Sequence, residues 1–497
     1  MASLPHILRR EPGGIGLFRA FGSRAFALVW GTDRRRTLTV VGAVCLFLAV
    51  FFFRGPASPQ YLLQLAVAAA VFGLIILKPH VGVAALVVYR ILSSGLGIES
   101  VVSGLGVTMV KSLGLFTLVG FLGIIVVKKA RPWMGNRTQL FFLYGLVIAI
   151  LLSSFACLIW ASVGRHLFQM FQNLILYVIF VNLYAEAKWM ARYLIAAAVA
   201  ILVTAASGII SIPLSGEVRI AGMMGNPNGL ALVSNLGAAI FLVLLLLQPA
   251  GRYRLLYVLG LVVCVVSIVL TGSRGGLLTL LVTFTFQLIK RRRAFIPYLV
   301  GLVVLVAIFV AIPEKYKERQ SEWFGYLLSG EAKAATEGSR GFIYRSAWDM
   351  FKRSPIIGIG PRTFAIIYQS EYSFMARGGS ASKAMVVHSG FLEVLVENGL
   401  VGFIVFSGLI VTTFVLYRRN RQLCQLPSLR AYQLLNELYE AWFLALLVGG
   451  AFETIIRTNE FFVGCAAAAA INRAVVAETA RAAAPLTAAV TAPAAAS

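Results

Sequence analysis

Apolar runs close to twenty residues long recur through almost the whole chain, and nothing else in the sequence restricts the fold so tightly. A helix needs about 20 such residues to cross the roughly 30 Å hydrocarbon core of a bilayer. Inside that core every backbone N–H and C=O must be satisfied by protein, which a helix does on its own. The runs fall at 38–53, 61–77, 82–98, 105–127, 138–161, 167–184, 190–213, 229–248, 254–271, 275–289, 294–312, 390–417, 441–456 and 460–474. Only 13% of the residues are charged, against about 25% in soluble domains, which excludes a soluble globular fold. The expected fold is therefore all-α: a polytopic membrane helical bundle of about 12–14 transmembrane helices with one long outer loop.

The chain is strongly basic, with 44 Lys+Arg against 19 Asp+Glu. Such an excess can mark a nucleic-acid partner, but here the charges sit in short loops between apolar runs, where the positive-inside rule puts them. Threading from a basic cytoplasmic start at 1–36 gives inside loops with Lys78, Lys128, Lys129, Arg131, Arg137, Lys188, Arg192, Arg252, Arg254, Lys290, Arg418, Arg419, Arg421 and Arg430. The short outside loops hold only Arg54, Arg165, Arg219, Arg274 and Arg457. No nucleic acid is expected; the partner is the lipid bilayer, and both termini face the cytoplasm. Arg90 and Lys111 fall inside the runs 82–98 and 105–127, so these two are the weakest spans, and without them the count drops to about 12. The resulting segments are 1–36 (basic, cytoplasmic), 37–312 (transmembrane helices with short loops), 313–388 (outer loop with amphipathic helices), 389–475 (the last transmembrane helices) and 476–497 (an Ala-rich tail expected to be disordered). The five cysteines show no metal-type spacing and no disulfide framework.

This threading puts the most distinctive polar groups on one side. ATP and nucleotide sugars are absent from the outer face, so any bond-forming chemistry there needs a donor that carries its own activation, such as a lipid diphosphate. Three turns could hold an anion. The first is Arg219-Ile-Ala-Gly-Met-Met-Gly-Asn226-Pro-Asn228-Gly, where Asn228 is expected to cap the following helix and point its N-terminus outward. The second is Thr271-Gly-Ser-Arg274-Gly-Gly, a tight turn whose arginine can grip phosphate oxygens bidentately. The third is Gly338-Ser-Arg340-Gly, which opens an amphipathic stretch to Arg353 with Phe342, Ile343, Ala347, Met350 and Phe351 at helical spacing. That stretch either lies on the membrane as a lid or packs on the bundle. Each arginine taken alone is equally well explained as a headgroup anchor.

The outer loop ends in Val387-His388-Ser-Gly-Phe-Leu-Glu393-Val-Leu-Val-Glu397-Asn-Gly399-Leu, where a histidine and two carboxylates meet the next apolar run. Ionisable groups are costly there without a task. Imidazole titrates near neutral pH and can take a proton from a sugar hydroxyl. A lone histidine is more often structural, and what distinguishes His388 is its junction position on the same side as Arg219 and Arg274. The chain has only two aspartates, Asp33 and Asp349, and no Asp-x-Asp. A metal holding a diphosphate wants clustered carboxylates, so arginines must neutralise the leaving group, and neither metal nor cofactor is expected.

In this order, the Arg219 turn with Gly-Asn-Pro-Asn-Gly, Thr-Gly-Ser-Arg-Gly-Gly, Ser339-Arg340 followed by Trp348, Pro355-Ile-Ile-Gly-Ile-Gly-Pro and His388-Ser-Gly-Phe-Leu-Glu resemble the O-antigen ligase family of bacterial glycan ligases and polymerases. The resemblance covers roughly 200–457. It implies a metal-independent, GT-C-like membrane glycosyltransferase acting at the periplasmic face of the bacterial inner membrane. The donor would be a glycan on undecaprenyl diphosphate, and the acceptor lipid A–core or another lipid-linked glycan. By the same resemblance Arg219 and Arg274, and less directly Arg340, hold the donor diphosphate, His388 is the catalytic histidine, and Asn226, Asn228 and Glu393 are positioning residues. From other classes, a polysaccharide transporter or flippase would place charges at the bilayer midplane in repeated halves, and a non-catalytic subunit of an export complex would not need His388.

Overall fold

The computed structural model describes residues 70–96, 109–129, 131–157, 160–211, 219–247, 253–291, 340–372, 386–455 and 458–491. All regular structure among these residues is helical. The helices are α1 (Pro79–Leu96), α2 (Met109–Lys128), α3 (Arg137–Ser154), α4 (Trp160–Leu183), α5 (Ala187–Ile210), α6 (Pro227–Leu247), α7 (Arg254–Leu270), α8 (Arg274–Ile289), α9 (Arg340–Arg353), α10 (Phe364–Ile367), α11 (Gly390–Leu423), α12 (Arg430–Gly450) and α13 (Asn459–Thr491). Seven of them carry a stretch long and apolar enough to cross a membrane, in α2, α3, α4, α5, α6, α11 and α13, and α1, α7 and α8 contribute shorter apolar helices. The chain is an all-α polytopic membrane protein. The runs at 38–53 and 294–312, and most of 61–77, lie outside the described residues.

The apolar pattern determines where each helix sits. α6 is apolar on all sides and is the hub, with 78% of its membrane window buried, as a helix apolar all round must be. It packs against α7, α12, α8 and α5. α2 and α3 keep an apolar face open, with Leu115, Leu122, Val126, Phe141 and Ile148 exposed; in a bilayer that face meets lipid. At one end of the bundle Lys290, Arg291 and Arg421 surround Glu437 and Glu440, with Lys290 Nζ 2.6 Å from Glu437 and 2.7 Å from Glu440. Arg291 and Arg421 reach Glu437 at 2.8 and 3.1 Å. This network ties the ends of α8 and α11 to α12.

At the other end, α11 differs from the straight span expected from 390. Gly399 sits at φ 64°, ψ −168° and breaks the helix, a conformation that is essentially open to glycine alone. Residues 390–398 form a short arm that folds back. Phe391 and Phe406 would be about 22 Å apart along a continuous helix, yet their ring centroids lie 5.9 Å apart. The break exposes backbone groups, and the segment Pro355–Gly360 satisfies them. Leu400 N donates to Pro355 O at 2.8 Å, Val401 N to Ile356 O at 3.1 Å, Ile359 N to Val396 O at 3.0 Å and Gly360 N to Glu397 O at 3.1 Å. A Cβ at Gly358 would overlap the Glu397 backbone, and one at Gly399 the Ile356 carbonyl.

α9 forms as its spacing predicts and packs on protein. Ile343, Ala347 and Met350 are buried in a second hydrophobic core with Ile359, Phe364, Ile367, Tyr368, Val387 and Val396. Arg353 bonds Glu371 at 2.6 Å and Tyr372 Oη at 3.2 Å, and its hydrogen bond holds the Glu371 carboxyl below the usual carboxylate range. Residues 340–372 thus form a cap. The arm 390–398 has a side in each core, Val396 in that of the cap and Val394 in that of the bundle. At the C-terminus α13 continues to Thr491, so much of the tail expected to be disordered is helical, in keeping with the high helix propensity of alanine.

Candidate active site at the seam of cap and bundle

The site begins with the two polar turns. α7 ends at Gly272, whose φ of 60° is the left-handed residue that closes a helix. Ser273 then caps α8, its Oγ accepting from Gly276 N at 3.2 Å. The glycines that follow are needed for close approach: a Cβ on Gly275 would sit 2.5 Å from the Phe452 ring. Arg274 is the first residue of α8 and is exposed. Arg219 lies across this turn, with Nε donating to Thr271 O at 2.8 Å and Nη2 to Asn228 Oδ1 at 3.3 Å. The first two motifs are therefore one unit.

The cap of α6 differs from expectation. The helix starts at Pro227, so the capping position falls to Asn226, whose Oδ1 accepts from Asn228 N at 2.9 Å. Proline is favoured as the first helical residue, which sets the register. Asn228, one position further in, is thereby available to hold Arg219.

A small cleft beside these turns is lined by Asn228, Leu232, Ser273, Gly275, Gly276, Thr279, Gly449, Phe452 and Glu453. Glu453 in the α12–α13 loop is the link. Its Oε2 lies 3.8 Å from His388 Nδ1, and its backbone O accepts from Gly390 N at 3.1 Å. Among the described residues, the buried atoms His388 Nδ1 and Glu453 Oε1 make no hydrogen bond. Buried polar atoms are nearly always paired, and apo catalytic contacts are often long until substrate arrives. His388 itself has φ 54°, an uncommon conformation for a non-glycine residue. It is fixed by Ser389, which caps α11 by accepting from Leu392 N, and by Tyr344 of α9, whose Oη donates to His388 O at 3.4 Å.

Helix lengths put these groups at one depth. From the shared ion network, Arg274 is about 24 Å up α8 and Phe406 about 22 Å up α11, while Gly399 is about 33 Å up. The Phe391–Phe406 contact shows the arm folding back along α11 from Gly399. Glu393 is buried in the first turn of the arm, where an acidic group suits the helix N-terminus. Arg340 begins α9, the helix that reaches His388 through Tyr344; its side chain is outside the described residues.

Sequence reasoning missed Glu453, which reads as an internal charge of the run 441–456. A carboxylate in an apolar run is itself the signal that could have found it. Sequence reasoning also missed Arg362, whose backbone N donates to Glu397 Oε2 at 2.8 Å and whose Nη2 donates to Gln169 of α4 at 2.6 Å, fastening the cap to both cores.

Among the described residues, an all-helical bundle with seven helices long and apolar enough to cross a membrane defines a polytopic membrane protein. Residues 259–407 match the family model for O-antigen ligase, so this stretch of the chain is similar to that family. The matched stretch takes in the Arg274 turn, the cap and His388, and leaves Arg219, Asn228 and Glu453 outside it. The match supports a ligase- or polymerase-type role in polysaccharide biosynthesis, with lipid-linked glycan substrates. No curated protein matches the chain.

Proposed function

We propose that the protein is a metal-independent glycosyltransferase of the O-antigen ligase or polymerase type. It moves a glycan from undecaprenyl diphosphate to lipid A–core or to another lipid-linked glycan, at the periplasmic face of the bacterial inner membrane. The observation that carries this reading is one small cleft lined by Asn228, which holds Arg219, by Ser273 and Gly275 on either side of Arg274, and by Glu453, which lies 3.8 Å from His388.

Arg219 and Arg274, with Arg340 from the cap, hold the donor diphosphate and stabilise the charge that grows on it as it leaves. Asn228 and the Thr271 carbonyl fix the direction of Arg219. An acceptor hydroxyl attacks the anomeric carbon from the face opposite the diphosphate. The new C–O bond forms as the bond to the diphosphate breaks, the diphosphate leaves on its lipid, and the hydroxyl proton passes to His388. Glu453 orients the imidazole and stabilises its charged form, as a carboxylate behind a histidine does. Attack from that face inverts the anomeric centre.

The test is transfer from a lipid-linked donor by the purified protein in liposomes. His388→Ala is expected to lower the rate about 10²–10⁴-fold, the usual range for a positioned general base, and Arg274→Ala about 10²–10³-fold, the range for losing a group that stabilises developing negative charge, with membrane insertion unchanged in both. EDTA is expected to leave the rate intact. Wild-type rates in either variant would reject the roles assigned, and an EDTA-sensitive rate restored by magnesium would reject the arginine-based account of the leaving group.

A further inference from the structure

The helix α9 has two faces, and the cap core accounts for only one. Arg345, Trp348 and Lys352 follow one another at steps of three and four residues, so they share the side opposite the buried Ile343, Ala347 and Met350. All three are exposed. Trp348 stacks on Phe351 with ring centroids 5.1 Å apart, yet it stays 48% exposed. Just past the helix, Ile356 is 64% exposed. An indole and a branched apolar chain left open on so small a unit mark a surface that meets something other than water.

The height of this surface in the molecule says what it meets. Leu400, Ile404, Val411 and Val415 are exposed, and at spacings of four, seven and four they form one stripe along α11. In a bilayer that stripe meets lipid, like the open faces of α2 and α3. Leu400 at its top is about 32 Å along the helix from Arg421 of the ion network. The hydrocarbon core is about 30 Å thick, so the break at Gly399 falls where acyl chains give way to headgroups. Ile356 is tied to that level, since its carbonyl accepts from Val401 N at 3.1 Å while Pro355 O accepts from Leu400 N at 2.8 Å. The apolar stripe of the bundle thus continues from Leu400 onto Ile356. α3 ends at the same level: Ser153 Oγ donates to Glu397 O, and Phe155, next after the helix, is exposed. Aromatic rings with arginine and lysine beside them are the composition of the layer where a bilayer meets water.

We infer that the outer face of the cap seats on the bilayer, with Trp348 and Ile356 in the headgroup layer of the leaflet next to the site and Arg345 toward lipid phosphates. Lys352 lies 3.2 Å from Asp349 in an exposed pair, which is worth little, so Arg345 is the main cation of the face. A phospholipid layer fits better than a sugar. A sugar can stack on Trp348 but gains nothing from an open Ile356 flush with the lipid-facing stripe, whereas an interfacial helix uses both. The seat also steadies the helix that reaches the histidine, because Tyr344 Oη of α9 donates to His388 O. It requires only that the chain spans a membrane and does not depend on the glycosyl-transfer reading.

Contact with lipid is read by photocrosslinking the full-length protein in phospholipid proteoliposomes. Trp348→p-benzoylphenylalanine, Ile356→p-benzoylphenylalanine and, on the lipid-facing stripe, Ile404→p-benzoylphenylalanine are irradiated, and the adducts are weighed by mass spectrometry. Phospholipid adducts are expected at 348 and 356 in yields comparable to that at 404. Lipid adducts at 404 with only protein or solvent products at 348 overturn the inference. So does an adduct to an undecaprenyl-diphosphate-linked glycan in place of phospholipid when that glycan is added. Should the Trp348 variant fail to insert, the Ile356 variant decides by the same comparison with 404.

Discussion

The bundle encloses α6 within a ring of other helices and locks one end with a five-residue ion network, so its core is continuous from end to end. The cap buries only a handful of large side chains, among them Ile343, Met350, Phe364 and Tyr368. It depends on backbone pairing to the broken α11 for attachment. The proposed site is divided between the two regions. Arg219, Arg274 and Glu453 belong to the bundle, and His388 immediately precedes the arm, whose two sides lie one in each core. In the proposed mechanism the bundle supplies the cations that hold the diphosphate. A lightly built region supplies the proton-handling group, and its attachment sets the height of that group.

Breaking the attachment is expected to have the largest effect. Gly399→Val forces a β-branched side chain into a glycine-only conformation, a strain of about 1–3 kcal/mol, and drives a Cβ into the Ile356 carbonyl. Glycan transfer should fall by at least about a hundredfold, since misplacement of a catalytic group by about 1 Å is enough for that loss. Limited proteolysis should cut the cap while leaving the bundle intact. Resistance to protease together with full activity would show that the pairing does not position His388.

Glu453→Gln tests the contact across the seam with a smaller change. It keeps the shape and the backbone link to Gly390 but removes the charge facing His388. Transfer at neutral pH is expected to drop about tenfold to a hundredfold, the scale typical of an orienting carboxylate's contribution. The loss should lie in kcat, and equal kcat values would place Glu453 outside the mechanism.

The smallest expected effect comes from within the cap core. Met350→Ala removes a fully buried side chain, at a cost of about 2–5 kcal/mol locally. Protease sensitivity of residues 340–372 should rise while the thermal unfolding of the bundle, followed by detergent-phase circular dichroism, does not move. A matching drop in bundle stability would mean that the two cores are one.

Much of this division was legible in the sequence, and the parts that were not share a cause. The helix at 340–353 and its buried face follow from local spacing, because Ile343, Ala347 and Met350 repeat with helical period. The break at Gly399 was not legible, since Glu-Asn-Gly-Leu-Val falls inside the apolar run 390–417 and the cause lies in Pro355–Gly360, some forty residues earlier. Asn228 reads as the cap of α6, and only the position of Pro227 at the start of the folded helix moves that role to Asn226. Glu453 was visible as a charge in an apolar run, but its partner His388 is brought to it by the fold-back of the arm, which no local pattern encodes.

The central claim, that the bundle's cations and the histidine at the start of the arm serve one reaction, is tested most directly by a double-mutant cycle between Arg219 and His388, read as glycan transfer from undecaprenyl diphosphate in proteoliposomes. Residues acting as a unit are grossly non-additive. Arg219→Ala and His388→Ala should each remove nearly all transfer, and the double variant should lose little more than the worse single one. Losses that multiply, or a single variant that transfers at the wild-type rate, would contradict the account.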